Sequence, residues 1–333
     1  MSSREDVLSL LRGEEGFLSG QELSRRLGLS RAAVWKAVDA LRAGGYEIEA
    51  RTGLGYRLCA APDVLTEAEI RCFLGETAVV GRELRCFEEL DSTNNYLKSW
   101  TDGPDGAAVT AESQTAGRGR MDRSFQSPKG QGIYLSVLLH PALPPDRLPP
   151  ATALAGVAVC AAVERVCGLR PGLKWPNDPV LNGKKLCGIL TELSLEAETG
   201  RVQSLVLGIG INVGQRPEDF SPEVREVATS LLQVLGKPVS RPRLTAALLE
   251  ELDRAYGALL AGDLSEYLAA YRRDCVNLGK TVQLIPFGGG ERETARAVDI
   301  DGDFSLVVRG EDGKERAVRS GEVSVRGLWG YTE

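Results

Sequence analysis

The densest run of chemically useful side chains is Gln114-Thr115-Ala116-Gly117-Arg118-Gly119-Arg120-Met121-Asp122-Arg123-Ser124-Phe125. Gly117 and Gly119 permit positive φ and a close approach of backbone to ligand, with amides free to point at an anion. Arg118, Arg120 and Arg123 set three guanidinium groups beside that loop, and their fork geometry suits phosphate or carboxylate. Phe125 offers a flat face to a base. Read alone, the run is equally an exposed basic loop. A second segment, Lys174-Trp175-Pro176-Asn177-Asp178, leads through Gly183 to Lys184-Lys185 and an apolar run. Pro176 stiffens a turn that presents Asn177 and Asp178. A lysine entering a buried strand, here Lys185, is held more firmly than one on a surface helix and can stabilise charge on a reacting oxygen. Two adjacent lysines are otherwise an ordinary solvated pair.

Gly208-Ile209-Gly210-Ile211-Asn212-Val213-Gly214 superficially suggests a dinucleotide turn. Its spacing is GxGxxxG, no helix pattern follows and Pro217 intervenes, so that reading fails. It predicts instead a central strand with glycines where something packs against the backbone. Asn212, polar among aliphatics, needs a hydrogen-bond partner there. Asp91-Ser92-Thr93-Asn94-Asn95 reads as a helix N-cap, or as small polar side chains around a polar ligand group. The single histidine, His140, ends an apolar run and reads as structural. A Ser-His-Asp triad and a multi-histidine metal site are therefore excluded. No metal site is expected, and chemistry falls to Lys, Arg, Asp and backbone amides.

The elements that must hold these residues follow from periodicity. Ser19-Gly20-Gln21-Glu22 predicts a capping box opening a short helix, and Ser30 caps the next, Arg31 to Ala43. In that helix Val34, Val38 and Leu41 form the buried stripe and Arg31, Trp35, Lys36 and Arg42 face outward. Gly44-Gly45 stops it, and Tyr46, Ile48 and Ala50 alternate as a strand returning through Gly53-Leu54-Gly55. That order predicts a winged helix-turn-helix over residues 1–62. Residues 63–278 read as mixed α/β, with strands near 107–111, 133–139, 186–193 and 205–213 and helices near 94–100, 150–166, 243–260 and 264–273. Residues 279–333 turn purely β, which predicts a small barrel or sandwich.

Composition narrows the class further. The chain has 333 residues, 43% hydrophobic and 26% charged, with a net charge of −6, as expected of two or three globular units. The acidic balance argues against a protein that coats nucleic acid, although residues 1–60 hold nine Lys/Arg against eight Asp/Glu. Seven scattered cysteines read as reduced thiols in a cytoplasmic protein. The first residues carry no apolar signal core, and 151–163 is too short to span a bilayer.

Taken in order, Asp91-Ser92-Thr93-Asn94, Gln114 with Gly117-Arg118-Gly119-Arg120, Lys174-Trp175-Pro176-Asn177-Asp178, Lys185 with Gly188-Ile189-Leu190, and Gly208 to Val213 resemble bacterial biotin–protein ligases of the bifunctional ligase and biotin-operon-repressor type. Leu29 to Lys36 is similar to that family's recognition-helix region, and Gly321-Glu322-Val323-Ser324-Val325 to the end of its terminal domain. The resemblance implies a central domain related in fold to class II aminoacyl-tRNA synthetases and an SH3-like terminal barrel. It implies biotin activation by ATP and Mg2+, then transfer to a lysine of the biotin carboxyl carrier protein domain of acetyl-CoA carboxylase. Ser92, Thr93, Asn94, Gln114, Arg118, Gly119, Arg120 and Lys185 would then surround biotin. Gly117, Arg118, Arg120, Arg123 and Phe125 would order the adenylate, with Asn212 on adenine. Lys185 and Arg120 would act in the reaction, and Asn177 and Asp178 would support the site and the acceptor lysine. Ser30, Arg31, Trp35 and Lys36 would read operator DNA on a ligand-promoted homodimer. The family's loop usually ends in tryptophan and lacks an acid; here Phe125 is a smaller platform and Asp122 lowers the loop's charge. Alternative readings are a ligase whose winged helix is only a brace, a lipoate–protein ligase and a non-catalytic sensor.

Overall fold

The computed structural model describes residues 3–121, 123–287, 291–327 and 331–332. The chain divides into two compact units, Met1–Val64 and Leu65–Glu333. In the first, α1 (Ser3–Arg12), α2 (Gly20–Leu27) and α3 (Arg31–Ala43) precede an antiparallel hairpin of β1 (Glu47–Arg51) and β2 (Gly55–Ala60). Ser19 Oγ accepts from the Glu22 amide at 3.0 Å and Ser30 Oγ from the Ala33 amide at 3.1 Å. Only half of the expected capping box forms. The Glu22 carboxylate pairs with Arg25 and Arg26, each at 2.6 Å, because guanidinium groups one turn ahead are stronger donors than a backbone amide. Leu23, Val34, Ala37, Val38 and Leu41 close a core with Val7, Leu8 and Leu11 of α1.

The second unit begins with α4 (Glu67–Arg71), β3 (Leu84–Leu90), α5 (Thr93–Ser99), β4 (Ala107–Gln114), β5 (Gly132–Leu139) and α6 (Pro150–Cys167). Three short strands follow, β6 (Gly172–Lys174), β7 (Asp178–Leu181) and β8 (Lys184–Lys185), then β9 (Cys187–Leu195) and β10 (Val202–Asn212). Helices α7 (Pro222–Val227), α8 (Leu231–Leu235), α9 (Arg241–Ala261) and α10 (Ser265–Asp274) lead to β11 (Thr281–Pro286), β12 (Glu293–Ile300), β13 (Leu306–Arg309), β14 (Glu315–Val318) and β15 (Val323–Gly327). The central sheet has the order β3-β4-β5-β10-β9, parallel only between β3 and β4. The terminal sheet, β14-β13-β12-β11-β15, is antiparallel throughout.

Alternation along two strands separates core from site. Leu205, Leu207, Ile209 and Ile211 of β10, with Ile133, Leu135, Val137 and Leu139 of β5, enter the main core beneath α6 and α9. The residues between them face the other way. Val206 and Leu138 pack with Leu97 of α5, whereas Gly208, Gly210 and Tyr134 line a cleft. Helix α6 is apolar enough, over Pro145–Cys167, to cross a membrane by length and composition. Here that character serves the core, because twelve of its residues are buried. All seven cysteines are free thiols, and burial pushes Cys275 up to about 11 and Cys86 to about 12.

A buried ion pair ties the start of this unit to its sheet. Arg241, at the head of α9, meets Glu112 of β4 at 2.7 Å, and Glu112 Oε1 accepts from the Leu65 amide at 2.6 Å. Glu112→Ala takes the carboxylate from the buried Arg241, and removing one partner of a buried pair costs about 3–5 kcal/mol. Denaturant unfolding of the variant should show a loss of that order; a loss below about 1 kcal/mol would mean that the pair contributes little to stability.

Candidate active site

The cleft, about 1170 Å3 counted to its open mouth, lies on the glycine-bearing side of β9 and β10. Gly188 and Gly210 are cross-strand partners, and Gly208 pairs with Leu190 on one side and Ser136 on the other. A Cβ at position 210 would stand 2.5 Å from the Phe125 ring and one at 188 would stand 3.4 Å from it. A Cβ at 208 would overlap Asn94 Oδ1. The missing side chains let an aromatic ring and an amide descend onto the strand backbone.

The arginine loop closes on itself as a narrow hairpin. The Gly119 amide donates to Arg123 O at 2.7 Å and the Phe125 amide to Gly117 O at 2.8 Å. Neither glycine has positive φ; Met121 does, at 57°. The need for glycine at 117 is instead one of space, because a Cβ there would collide with Phe125 O. Asp122 lies outside the described residues. Arg118 Nη1 reaches Glu192 Oε1 at 3.0 Å, and Glu192 also accepts from Asn94 Nδ2 and Lys98 Nζ, both at 2.9 Å. Burial pushes the Glu192 carboxyl up, but the bonds from Asn94 and Lys98 outweigh it and hold the group below its ordinary value. Arg120 Nη1 donates to Asn177 Oδ1 at 3.2 Å, and the Asn177 amide donates to Ile189 O at 2.6 Å. Burial lowers the Arg120 pKa, against the pull of Asp178. Arg123 is exposed at the mouth.

Polar side chains fill the α5 end. The Thr93 amide and hydroxyl donate to Gln114 Oε1 at 2.9 and 3.1 Å, and Gln114 Nε2 donates to Ser127 Oγ at 2.8 Å. Ser136 Oγ lies 2.7 Å from Thr93 Oγ1 and 2.6 Å from Asn94 Oδ1. Ser92 precedes α5 but makes no side-chain cap bond to the described residues, and it lines the cleft. At the opposite end Lys185 Nζ pairs with Asp178 Oδ1 at 2.6 Å, and Asp178 Oδ2 accepts from the Tyr331 hydroxyl. Burial alone would raise the Asp178 carboxyl, yet Lys185 and Lys174 hold it low. Lys174 is only 6% exposed, and burial brings its ammonium down to about 8. Trp175, which follows a strand residue and precedes the cis bond to Pro176, is fully buried. Its amide donates to Asn277 Oδ1 at 2.8 Å and its indole to Phe304 O at 3.0 Å, pinning the segment beneath the cleft.

Thus Ser92, Thr93, Asn94, Gln114, Arg118, Gly119, Arg120, Arg123, Phe125, Asn177, Asp178 and Lys185 line one cleft. Gly117 shapes the loop without lining it. Asn212 is buried outside the lining; its Nδ2 donates to Thr229 O at 3.1 Å and its Oδ1 accepts from Gln215 at 3.3 Å. Lys174, Phe287, Arg326 and Tyr331 line the cleft without having been singled out as site residues in the sequence. In the first unit Ser30 caps α3, Arg31 donates to Gln21 at 3.1 Å, Lys36 is exposed and Trp35 is 56% exposed.

Among the described lining residues six are cationic (Arg118, Arg120, Arg123, Lys174, Lys185 and Arg326) and Asp178 is the one carboxylate. A cationic cleft on a mixed α/β sheet, carried in one chain with a helix-turn-helix unit, defines an enzyme acting on anions that bears a DNA-binding domain. Residues 86–212 match the Biotin/lipoate A/B protein ligase family, residues 3–57 an HTH domain and residues 278–326 the biotin protein ligase C terminal domain. The chain is 38% identical to the bifunctional ligase/repressor BirA of Bacillus subtilis, over 91% of this chain and 93% of that one. It is 31% identical to that of Escherichia coli, over 96% of each, and 34% identical to the biotin–[acetyl-CoA-carboxylase] ligase of Mycobacterium tuberculosis, over 69% of this chain and 85% of that one. The biotin protein ligase of Aquifex aeolicus, solved in complex with biotin and ATP, superposes with a TM-score of 0.64 at 31% identity, over 74% of this chain and 99% of that one. The chain belongs to the biotin protein ligases, and with its helix-turn-helix domain to their bifunctional ligase/repressor form.

Gly210→Val should unseat the Phe125 ring and open the loop. Hydrogen exchange over residues 117–125 should lose protection; unchanged protection would mean that the ring does not depend on the glycine floor.

Proposed function

We propose that this cleft activates biotin as biotinyl-5′-adenylate and passes it to a lysine of a biotin carboxyl carrier protein domain, that of acetyl-CoA carboxylase. The observation that carries the reading is the charge of the cleft, six cations to one carboxylate among its described lining residues, because both substrates and the intermediate are anions. A biotin carboxylate oxygen attacks the α-phosphorus of ATP, the bond to the β-phosphate breaks and pyrophosphate leaves. The acceptor amine then attacks the acyl carbon, AMP departs and the amine releases a proton. Thr93, Asn94, Gln114 and Ser92 offer donors and acceptors to the uncharged head of biotin, beside Gly119. Lys185 stands where carboxylate and α-phosphate meet and stabilises the charge that develops there. Arg120, tied to Asn177, and Arg118, tied to Glu192, hold the loop over the adenylate with Arg123 and Phe125. Asp178 orients Lys185 and faces the arriving acceptor amine. Asn212, held at the end of β10 by Thr229 and Gln215, contacts adenine in this reading.

Among the described residues no group of three or more acidic, cysteine or histidine side chains could cage a metal. Mg2+ enters on the nucleotide phosphates, keeping part of its water, as its chemistry favours. The chain is organised as a DNA-binding domain (1–62), a catalytic domain (63–278) and a terminal barrel (279–333), and it acts in the cytoplasm. Ser30, Arg31, Trp35 and Lys36 of α3 face operator DNA. The edge strand β9 carries Leu193 and Leu195, 41% and 47% exposed, and offers a face for a ligand-promoted homodimer.

Lys185→Ala should slow pyrophosphate release about 100- to 1000-fold with a much smaller effect on biotin affinity. An unaltered adenylation rate would remove Lys185 from the reaction. For the repressor, sedimentation with biotin and ATP-Mg should show a doubled mass, and gel shifts on the upstream DNA should tighten in parallel. A monomer that binds DNA equally well with and without the adenylate would refute the switch.

A further inference from the structure

Tyr331 follows β15 and lies 153 residues beyond Asp178 in the chain, yet its hydroxyl donates to Asp178 Oδ2 and its ring centroid sits 4.0 Å from Lys174 Nζ. The neighbouring Thr332 is fastened twice: its hydroxyl donates to Gly183 O at 3.3 Å and its carbonyl accepts from Lys280 Nζ at 3.1 Å. The tyrosine is therefore placed by its own anchors and does not merely rest on the cleft.

Asp178 is faced by Lys185 from β8, Lys174 from β6, Arg120 from the loop and Tyr331, and its charge is felt by the Cys187 thiol and the Tyr271 phenol. Burial raises the pKa of that thiol and that phenol, so both stay neutral. A carboxylate between two ammonium groups can turn toward either one. A donor on Oδ2 leaves Oδ1 to one partner only, and that partner is Lys185, at 2.6 Å. The aromatic face meanwhile gives Lys174 an alternative to the carboxylate. We propose that Tyr331 is a positioning residue: by occupying Asp178 Oδ2 and covering Lys174, it reserves Oδ1 for Lys185 and so aims Lys185 at the reacting carboxylate. The proposal rests on the assignment of Lys185 to biotin activation.

Full-length Tyr331→Phe keeps the ring and loses the donor; Tyr331→Leu loses both. Biotin-dependent pyrophosphate–ATP exchange should be followed against pH for both variants and for Lys185→Ala, with Tm as a folding control. In Tyr331→Phe the maximal rate should fall about tenfold, as for the loss of a bond to a charged group. Its KM for biotin should stay close to that of the parent protein. Loss of the donor lets the Asp178 carboxyl rise, so the acid limb of the rate should move to higher pH. Tyr331→Leu should be slower still. A Tyr331→Phe protein with unaltered rate and acid limb, beside an impaired Lys185→Ala, would overturn the proposal. A lower Tm with unchanged kinetics would overturn it too, leaving the tyrosine a folding role. Full exchange activity in Lys185→Ala would remove the underlying assignment and this proposal with it.

Discussion

Six cations gathered in one cleft repel one another, and nearly every other feature of the site restrains that repulsion until an anion arrives. The whole chain is acidic, with a net charge of −6, so the concentration is local and deliberate in placement. Arg118 is held by Glu192 on β9, Arg120 by the Asn177 carbonyl, and Lys185 by Asp178. Each restraint lies at a different wall, which keeps the positive groups apart and aimed inward. Lys174 feels Asp178 only at longer range among the described residues, and burial lowers its pKa. Preorganised charge of this kind costs stability in the empty protein and repays it when phosphate enters.

The frame that makes this possible is the period of two along β10 and β5. Both strands present aliphatic side chains to α6 and α9, while toward the cleft β10 offers nearly bare backbone and β5 the Tyr134 ring. Most of that was legible in the sequence, because alternation and glycine spacing are local signals. The helix-turn-helix order and the main strands and helices could be read this way, while the grouping of the loop with the Lys174–Asp178 segment and Lys185 came from the family resemblance. Helices α7 and α8 and the strand β3 carry too little periodicity to be found.

What remained hidden is non-local. Glu192 sits on a strand whose pattern marks it as an ordinary outward residue, yet three donors converge on it. Glu112 and Arg241 are 129 residues apart and meet in the core. Nothing in the spacing of Tyr331 points to Asp178. The glycines of the loop have a similar origin: a loop glycine predicts positive φ, whereas at Gly117 the constraint is the Phe125 carbonyl packed against it. A polar Asn212 among aliphatics predicts a hydrogen-bond partner, and only the fold brings Thr229 and Gln215 to supply it.

The floor of the cleft also sets how this enzyme can change over evolutionary time. It is made of side chains that are missing, so any substitution at Gly188, Gly208 or Gly210 adds atoms. Single mutations at these three glycines can shrink the space for a substrate, and none of them can enlarge it. Broader tolerance must be gained from the roof, where Phe125 and the exposed Met121 can be trimmed without disturbing a strand. The two sides of the cleft therefore evolve under opposite rules, the floor able only to narrow and the loop able to widen.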